Sequence, residues 1–394
     1  MRDLEIIIAL LILLGFSLLL GEMFEKYGFP EIVGNIFAGF ILGPVILGFV
    51  TISPELNAIA ELSLFFIILL IGIEVTSDII TKNIKKYIIF TFSGFVFPSI
   101  FITFILIVLH FTFSQSIITA MAISVPSISI ISVLVLKYKI LKKLDGSLII
   151  ASTVVSDIIA FSTLAILSNI SNTIIILISL FIVLIILFIL DFLIKKYSPT
   201  IRRFFGKMSN KDNGEKIVFG FIIILGMIFA SVFQIIGITY ILGAFFAGML
   251  VYDTMMGKLF YKRVSNTFRR INYSFFIPIF FSIAGLSAII PTGIYLIILL
   301  ISIIIIVLFS ILTYLFGKRI FTHINSKSGV GIIGGRGAVG ISIGSIAFAS
   351  GLITNNLYSV IIFGTIILSL TMPLMISKKY SVKHSNLKYK NKKR

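Results

Sequence analysis

The sequence predicts an all-α polytopic membrane protein, built from thirteen transmembrane helices arranged as two inverted six-helix repeats. Three observations predict it. Hydrophobic residues make up 58% of the chain and charged ones only 12%, in long apolar runs with short polar links. Of the 33 Lys and Arg, all but Arg2 and Arg336 fall in alternate links or in the tail. Polar and helix-breaking residues inside the runs recur at matching places in the two halves.

The apolar runs lie at about 5–22, 31–50, 57–76, 87–111, 116–136, 147–168, 172–194, 216–235, 238–256, 273–290, 293–316, 329–351 and 355–377. Each approaches the ~20 residues needed to cross a bilayer core. Span 1 is read as retained and not as a signal peptide: Arg2, Asp3 and Glu5 give no net positive start, and no small-residue cleavage site follows. A net charge of +18 could indicate nucleic acid, but the cations follow odd-numbered spans, so they report topology and attraction to anionic lipid. Positive-inside logic places the N-terminus outside and the C-terminus in the cytoplasm, in a multi-pass cell-membrane protein that binds no nucleic acid. With no cysteine, disulfides and thiolate metal sites are excluded, and no cofactor is implied.

Span 1 ends near Phe24 and Gly28, and span 2 carries Gly34-Asn35-Ile36-Phe37-Ala38-Gly39. A shift of 209 residues brings up Phe233, Gly237 and then Gly243-Ala244-Phe245-Phe246-Ala247-Gly248. Seven spans separate the copies, an odd number, so their orientations are opposite, as in many secondary transporters. The expected organisation is one membrane transport domain over 1–377: a first repeat at 1–168, a linker helix and loop at 169–215, and a second repeat at 216–377. A basic cytoplasmic tail follows at 378–394.

Spans 5 and 12 correspond in this scheme, and both resist helix formation. Span 5 carries Ser124-Val125-Pro126-Ser127, and span 12 has seven glycines from Gly329 to Gly344 around Arg336. A glycine costs about 1 kcal/mol of helix preference and a proline about 3. Unwound backbone at membrane depth is tolerated only in protein or along a cavity, so two discontinuous helices that cross at an ion site are expected.

Span 6 holds the most informative residue. Asp157 sits mid-span, where a carboxylate costs at least about 3 kcal/mol on insertion scales. Thr153 lies one turn earlier and Ser156 beside it, both able to offer oxygen to a cation. Asp157 is therefore expected to bind a small cation or a proton. Arg336 is the other charge inside the apolar belt, and its candidate partners are Asp157, Glu74 and carbonyls freed in span 5. Its role is either to staple the interrupted helices or to tune the charge of Asp157. Glu74 ends span 3 near the cytoplasmic edge, either as an interfacial acid or at the mouth of an inward path. Proton and cation competing for one carboxylate would be the simplest antiport chemistry. An intramembrane aspartyl protease is disfavoured, since Asp253 is expected far from Asp157 and no Gly-x-Gly-Asp occurs.

Several segments together resemble the monovalent cation:proton antiporters of the Kef and NapA branch. These are Glu31 to Pro44, Glu61 to Glu74, Phe280 to Leu286, and Gly335-Arg336-Gly337-Ala338-Val339-Gly340. The resemblance implies a mobile core domain with crossed helices 5 and 12, a dimerisation domain, a homodimer, and exchange of Na⁺, K⁺ or Li⁺ for H⁺ without enzymatic chemistry. Na⁺ ranks first and K⁺ second, with a cation channel on the same scaffold as a further alternative. Departures are visible. Ser156 stands before Asp157 where relatives have Asp, Asn or Gln, and Ala338 replaces the usual glutamate after the arginine. Span 10 has no lysine. A single central carboxylate implies electroneutral exchange.

Overall fold

The structure is a computed structural model and describes residues 2–27, 29–74, 89–126, 145–168, 213–236, 240–251, 253–317 and 326–374, with scattered helical positions between 178 and 203. Every named element among these residues is helical. The helices are α1 (Arg2–Lys26), α2 (Glu31–Leu42), α3 (Pro54–Glu74), α4 (Phe97–Val108), α5 (Phe113–Ser124), α6 (Asp145–Ser168) and α7 (Gly214–Ile235). They continue as α8 (Tyr240–Met249), α9 (Lys258–Ile271), α10 (Ile277–Leu286), α11 (Ile294–Gly317), α12 (Ser326–Ile333), α13 (Ala338–Ala349) and α14 (Asn355–Leu374). Among the described residues, six segments are long and apolar enough to cross a membrane: Glu5–Lys26, Pro54–Ile73, Ile89–Val108, Gly214–Ile235, Ile294–Phe316 and Asn355–Met372. Shorter apolar helices fill in at Glu31–Leu42, Phe113–Ser124, Val155–Ser168, Tyr240–Met249 and Ala338–Ala349. Most of the expected span 7, and Ser127, lie outside the described residues.

Two expectations need correction. Span 2 was expected to run to about residue 50, yet α2 stops at Leu42. Gly43-Pro44 follows, and a proline disfavours helix in the residue before it. Residues 258–271 were expected to be a basic loop, but they form α9. Phe260, Val264 and Phe268 recur every four residues and are buried, while Lys258, Lys262, Arg263, Arg269 and Arg270 are exposed. This is an amphipathic helix, with all its cations on the polar face.

Before α4 and α10 the backbone widens into single π-helical turns, at Phe92–Val96 and Asn272–Phe276. Each is followed at once by a proline in the first turn of the next helix, Pro98 or Pro278. A proline has no N–H to donate, so the helix loosens around the missing bond.

The chain divides into two compact units that interleave in sequence: 1–23, 34–81 and 161–287 in the first, and 24–33, 82–160 and 288–394 in the second. In the first, helices touch backbone to backbone at glycines. A Cβ on Gly34 would lie 2.5 Å from the Leu20 carbonyl oxygen, and one on Gly243 would lie 2.5 Å from that of Phe229. Both pairs are related by the 209-residue shift. A second pair of contacts recurs likewise. A Cβ on Gly39 would overlap the Ser282 carbonyl, and one on Gly285 would overlap Ile36. In the other half, Gly248 stands against Leu69 and Gly72 against Phe245. The small residues matched in sequence are therefore the ones that let α2 pack on α1 and α10, and α8 pack on α7 and α3.

In the second unit, α5 packs on α4, α13 and α14, and α11 on α4, α12 and α14. A Cβ on Gly340 would overlap the Ala122 carbonyl, so α13 and α5 are also in backbone contact. This unit contains every residue proposed from sequence for the site, except Glu74.

Gly39→Ala is expected to lose at least about 1–3 kcal/mol through overpacking. Gly15→Ala, with open space around its Cβ, should be neutral or gain up to about 1 kcal/mol. Thermal unfolding followed by size-exclusion chromatography in detergent reads both.

Candidate ion site

α6 is an apolar helix of 24 residues, and Asp157 lies near its middle, roughly 17 Å from each end at 1.5 Å per residue. The carboxyl is fully buried, at 0% exposure. Neither of its oxygens has a hydrogen-bond partner among the described residues. Thr153 and Ser156 are also buried. The Ser156 hydroxyl donates to the Ser152 carbonyl at 2.9 Å, which leaves its own lone pairs available. Thr91 donates to that same carbonyl at 3.0 Å, tying the segment before α4 to α6.

A small cavity next to the Asp157 segment is lined by Phe90, Gly94, Pro126, Ser152, Thr153, Ser156, Thr313 and Ile333. Asp157 does not itself face this cavity. Its neighbours one residue and one turn before it do.

The break expected in span 12 is present, and α5 leaves the helical conformation at the expected place in span 5, whose remainder lies outside the described residues. α5 begins with a capping box: the Gln115 N–H donates to the Thr112 hydroxyl at 3.3 Å, and the Thr112 N–H donates to the Gln115 side chain at 3.4 Å. It ends at Ser124 because Pro126 excludes helix from the residue before it. Val125 accordingly turns to extended backbone, with φ −65° and ψ 124°. In the other segment, α12 stops at Ile333 and α13 starts at Ala338, with Gly334, Gly335 and Gly337 around Arg336. Pro126 and Arg336 pair as an isolated antiparallel bridge, so the two unwound stretches meet backbone to backbone. Ser124 and Val125 are fully buried there.

Arg336 is only 1% exposed, and the two terminal nitrogens of its guanidinium donate to carbonyls, while Nε has no partner among the described residues. Nη1 donates to Ile333 at 2.8 Å and to Gly335 at 3.3 Å, and Nη2 donates to Gly94 at 3.2 Å. This corrects the sequence expectation. Among the described residues, Asp157 is not its hydrogen-bond partner, and the carbonyls that hold it belong to its own span and to span 4; Glu74's side chain and residues 127–136 of span 5 lie outside the described residues. The choice of carbonyls has a physical basis. Ile333 ends α12, whose terminal carbonyls carry the negative end of the helix dipole. Gly94 precedes Pro98 by four residues, so its carbonyl has no intrahelical N–H to accept from. Ser369 completes the arrangement by donating to the Arg336 carbonyl.

Gly94, Pro98, Thr91 and Ser369 are absent from the residues proposed from sequence. A usable signal existed for one of them: a proline inside an apolar run marks an unpaired carbonyl four residues earlier. Glu74 closes α3, and its side chain lies outside the described residues, as does Ser127. Among the described residues no cluster of three or more His, Cys, Asp or Glu side chains occurs.

Arg336→Ala is expected to lose several kcal/mol of stability, since each charge-assisted hydrogen bond contributes about 1.5–3. Arg336→Lys should recover only part of this loss, because an ammonium cannot fork between the two segments as a guanidinium does. Pro98→Ala restores an N–H that competes for the Gly94 carbonyl, with a smaller loss. Thermal unfolding of the three variants gives this ranking.

The sequence profile described as "Sodium/hydrogen exchanger, transmembrane" matches residues 8–378. A protein named "Na(+)/H(+) antiporter" from Enterococcus hirae is 28% identical, over 89% of this chain and 92% of its own. One named "Na(+)/H(+)-K(+) antiporter GerN" from Bacillus cereus is 23% identical, over 94% of this chain and 95% of its own. The solved structure of the sodium proton antiporter MjNhaP1 from Methanocaldococcus jannaschii has the same fold. It aligns with a TM-score of 0.66 over 97% of this chain and 98% of its own, at 17% identity.

Proposed function

This chain belongs to the sodium/hydrogen exchanger family of transmembrane transporters, and on that premise we propose that it exchanges a monovalent cation for H⁺, with Asp157 as the group both ligands share. It is a secondary transporter and not an enzyme.

One observation carries the reading. Asp157 is wholly buried, and neither carboxylate oxygen has a protein donor among the described residues. An unpaired charge in a protein interior costs several kcal/mol even after relaxation. A proton removes that cost by neutralising the group, and a metal cation does so by pairing with it. The two cannot occupy the same oxygens together, so uptake of one expels the other. Oxygens suited to Na⁺ or K⁺ are the Thr153 and Ser156 hydroxyls, one turn and one residue earlier on α6, and the backbone freed at Val125-Pro126 beside the buried Ser124 hydroxyl, with Pro126 lining the same cavity as Thr153 and Ser156.

The finer features follow the same reading. One carboxylate gives one cation per proton, hence electroneutral exchange. Arg336 staples the interrupted helices, and its fixed charge acts on Asp157 from a distance. The 209-residue recurrence of glycine contacts supports two inverted repeats within thirteen spans. Alternating access exposes the site to each side in turn, and Glu74 stands at the inward mouth. The protein works as a homodimer in the cell membrane, with its N-terminus outside and its C-terminus in the cytoplasm.

Na⁺ is the first choice of cation. K⁺ is second, a reading favoured by the names of relatives such as the "K(+)/H(+) antiporter 1" of Saccharomyces cerevisiae, 25% identical over 66% of this chain and 32% of its own. A channel on the same scaffold would need a continuous path past Asp157, which is enclosed here.

In proteoliposomes with an imposed pH gradient, adding Na⁺, Li⁺ or K⁺ should collapse the gradient, at a rate independent of a clamped membrane potential. Asp157→Asn, which remains monodisperse, should fall to the rate of empty liposomes. Exchange persisting in that variant would contradict the assignment.

A further inference from the structure

Most buried hydroxyls in the second unit have a backbone acceptor, and Thr365 of α14 and three hydroxyls of α5 have no partner among the described residues. Ser99, Ser156, Ser310, Ser342 and Ser359 each donate to the carbonyl four residues earlier, at 2.7–2.9 Å. In an apolar helix this is the default, because no other acceptor is nearby. Ser116, Thr119 and Ser124 of α5 depart from it. All three are 0% exposed, and none of their hydroxyl oxygens has a partner among the described residues.

A buried hydroxyl left unpaired costs about 1–3 kcal/mol. Three on one helix, each within reach of a carbonyl it does not use, indicate acceptors or donors that are not protein. Ordered water is the usual answer at such positions. Their placement is directional. At 100° per residue the three lie within about 140° of one side of α5, and at 1.5 Å per residue they climb about 12 Å along it. The ladder ends at Ser124, next to the break at Val125-Pro126. Pro126 lines the cavity that Thr153 and Ser156 share.

We propose that Ser116, Thr119 and Ser124 form a hydrated half-path, along which water and a dehydrating monovalent cation pass from the Phe113 end of α5 to the cavity next to the Asp157 segment. The hydroxyls act as successive oxygen ligands that replace part of the cation's water shell. The opposite side of α5, represented by Ile118 (2% exposed), stays dry. The inference takes from the proposed exchange only the premise that a monovalent cation must travel.

The chain has no cysteine, so single-cysteine variants need no prior background. Ser116→Cys, Thr119→Cys and Ile118→Cys would each be reconstituted and exposed to Ag⁺, a thiol-reactive monovalent cation. The protein would then be denatured and alkylated, and the Ag⁺-protected fraction counted by mass spectrometry. Positions 116 and 119 are expected to react at least about tenfold faster than 118. Equal rates at all three positions in monodisperse protein would overturn the half-path. Thr119→Val, which keeps the volume and removes the hydroxyl, should slow exchange severalfold at unchanged stability, and unchanged exchange would count against it. The Ag⁺ measurement is read without flux, so the half-path and the role of Asp157 fail separately.

Discussion

A carboxyl enclosed by apolar helices with no donor against it cannot rest as a bare anion, and the arrangement around Asp157 follows from that constraint. Hydrogen bonds from protein would relieve the charge permanently and leave nothing for a ligand to do. Here both oxygens are buried and have no partner among the described residues, so in the proposed exchange neutrality comes from a ligand that can leave. The neighbouring groups fit a mobile cation: hydroxyls and loosened backbone, which are neutral oxygen donors and add no second acid to the helix. Residues 254–394 contain no Asp or Glu at all, so that stretch brings no competing acidic side chain to the site.

The surrounding backbone meets the same low-dielectric demand by a different route. Breaking two helices inside an apolar unit strands carbonyls that water would otherwise satisfy. Arg336 takes up three of them, and two arise from identifiable local causes: the end of α12 at Ile333, and the proline that deprives Gly94 of its intrahelical donor. The two terminal nitrogens of the buried guanidinium donate to backbone carbonyls and not to the Asp157 carboxylate. Ala338, where the antiporters that the sequence resembles have glutamate, is consistent with this, since an acid there would compete with the carbonyls for the same arginine.

Much of this was legible in the sequence, for physical reasons that differ by element. Asp157 stood out because one acid in an apolar run is expensive. The breaks stood out because proline and clustered glycines oppose helix wherever they occur. The 209-residue match was visible because Gly34, Gly39, Gly243 and Gly248 sit where carbonyls of neighbouring helices leave no room for a Cβ. What was missed depended on three-dimensional pairing. The partners of Arg336 were sought among acids and span 5, whereas a carbonyl freed by Pro98 is a backbone property that side-chain reading overlooks. α9 was taken for a loop because its charge density hid the four-residue spacing of Phe260, Val264 and Phe268. The end of α2 at Leu42 lay under an apolar run that continued past it, and Gly43-Pro44, which marks the turn, was passed over.

The central claim is that metal cation and proton exclude one another at a single carboxyl. Calorimetric titration of Na⁺ into the detergent-solubilised protein, repeated in two buffers of different ionisation enthalpy, counts the protons released per cation bound. One proton per Na⁺ in the native chain, with neither binding nor release in Asp157→Asn, is the predicted result. Na⁺ binding without proton release, or equal binding by the asparagine variant, would contradict it.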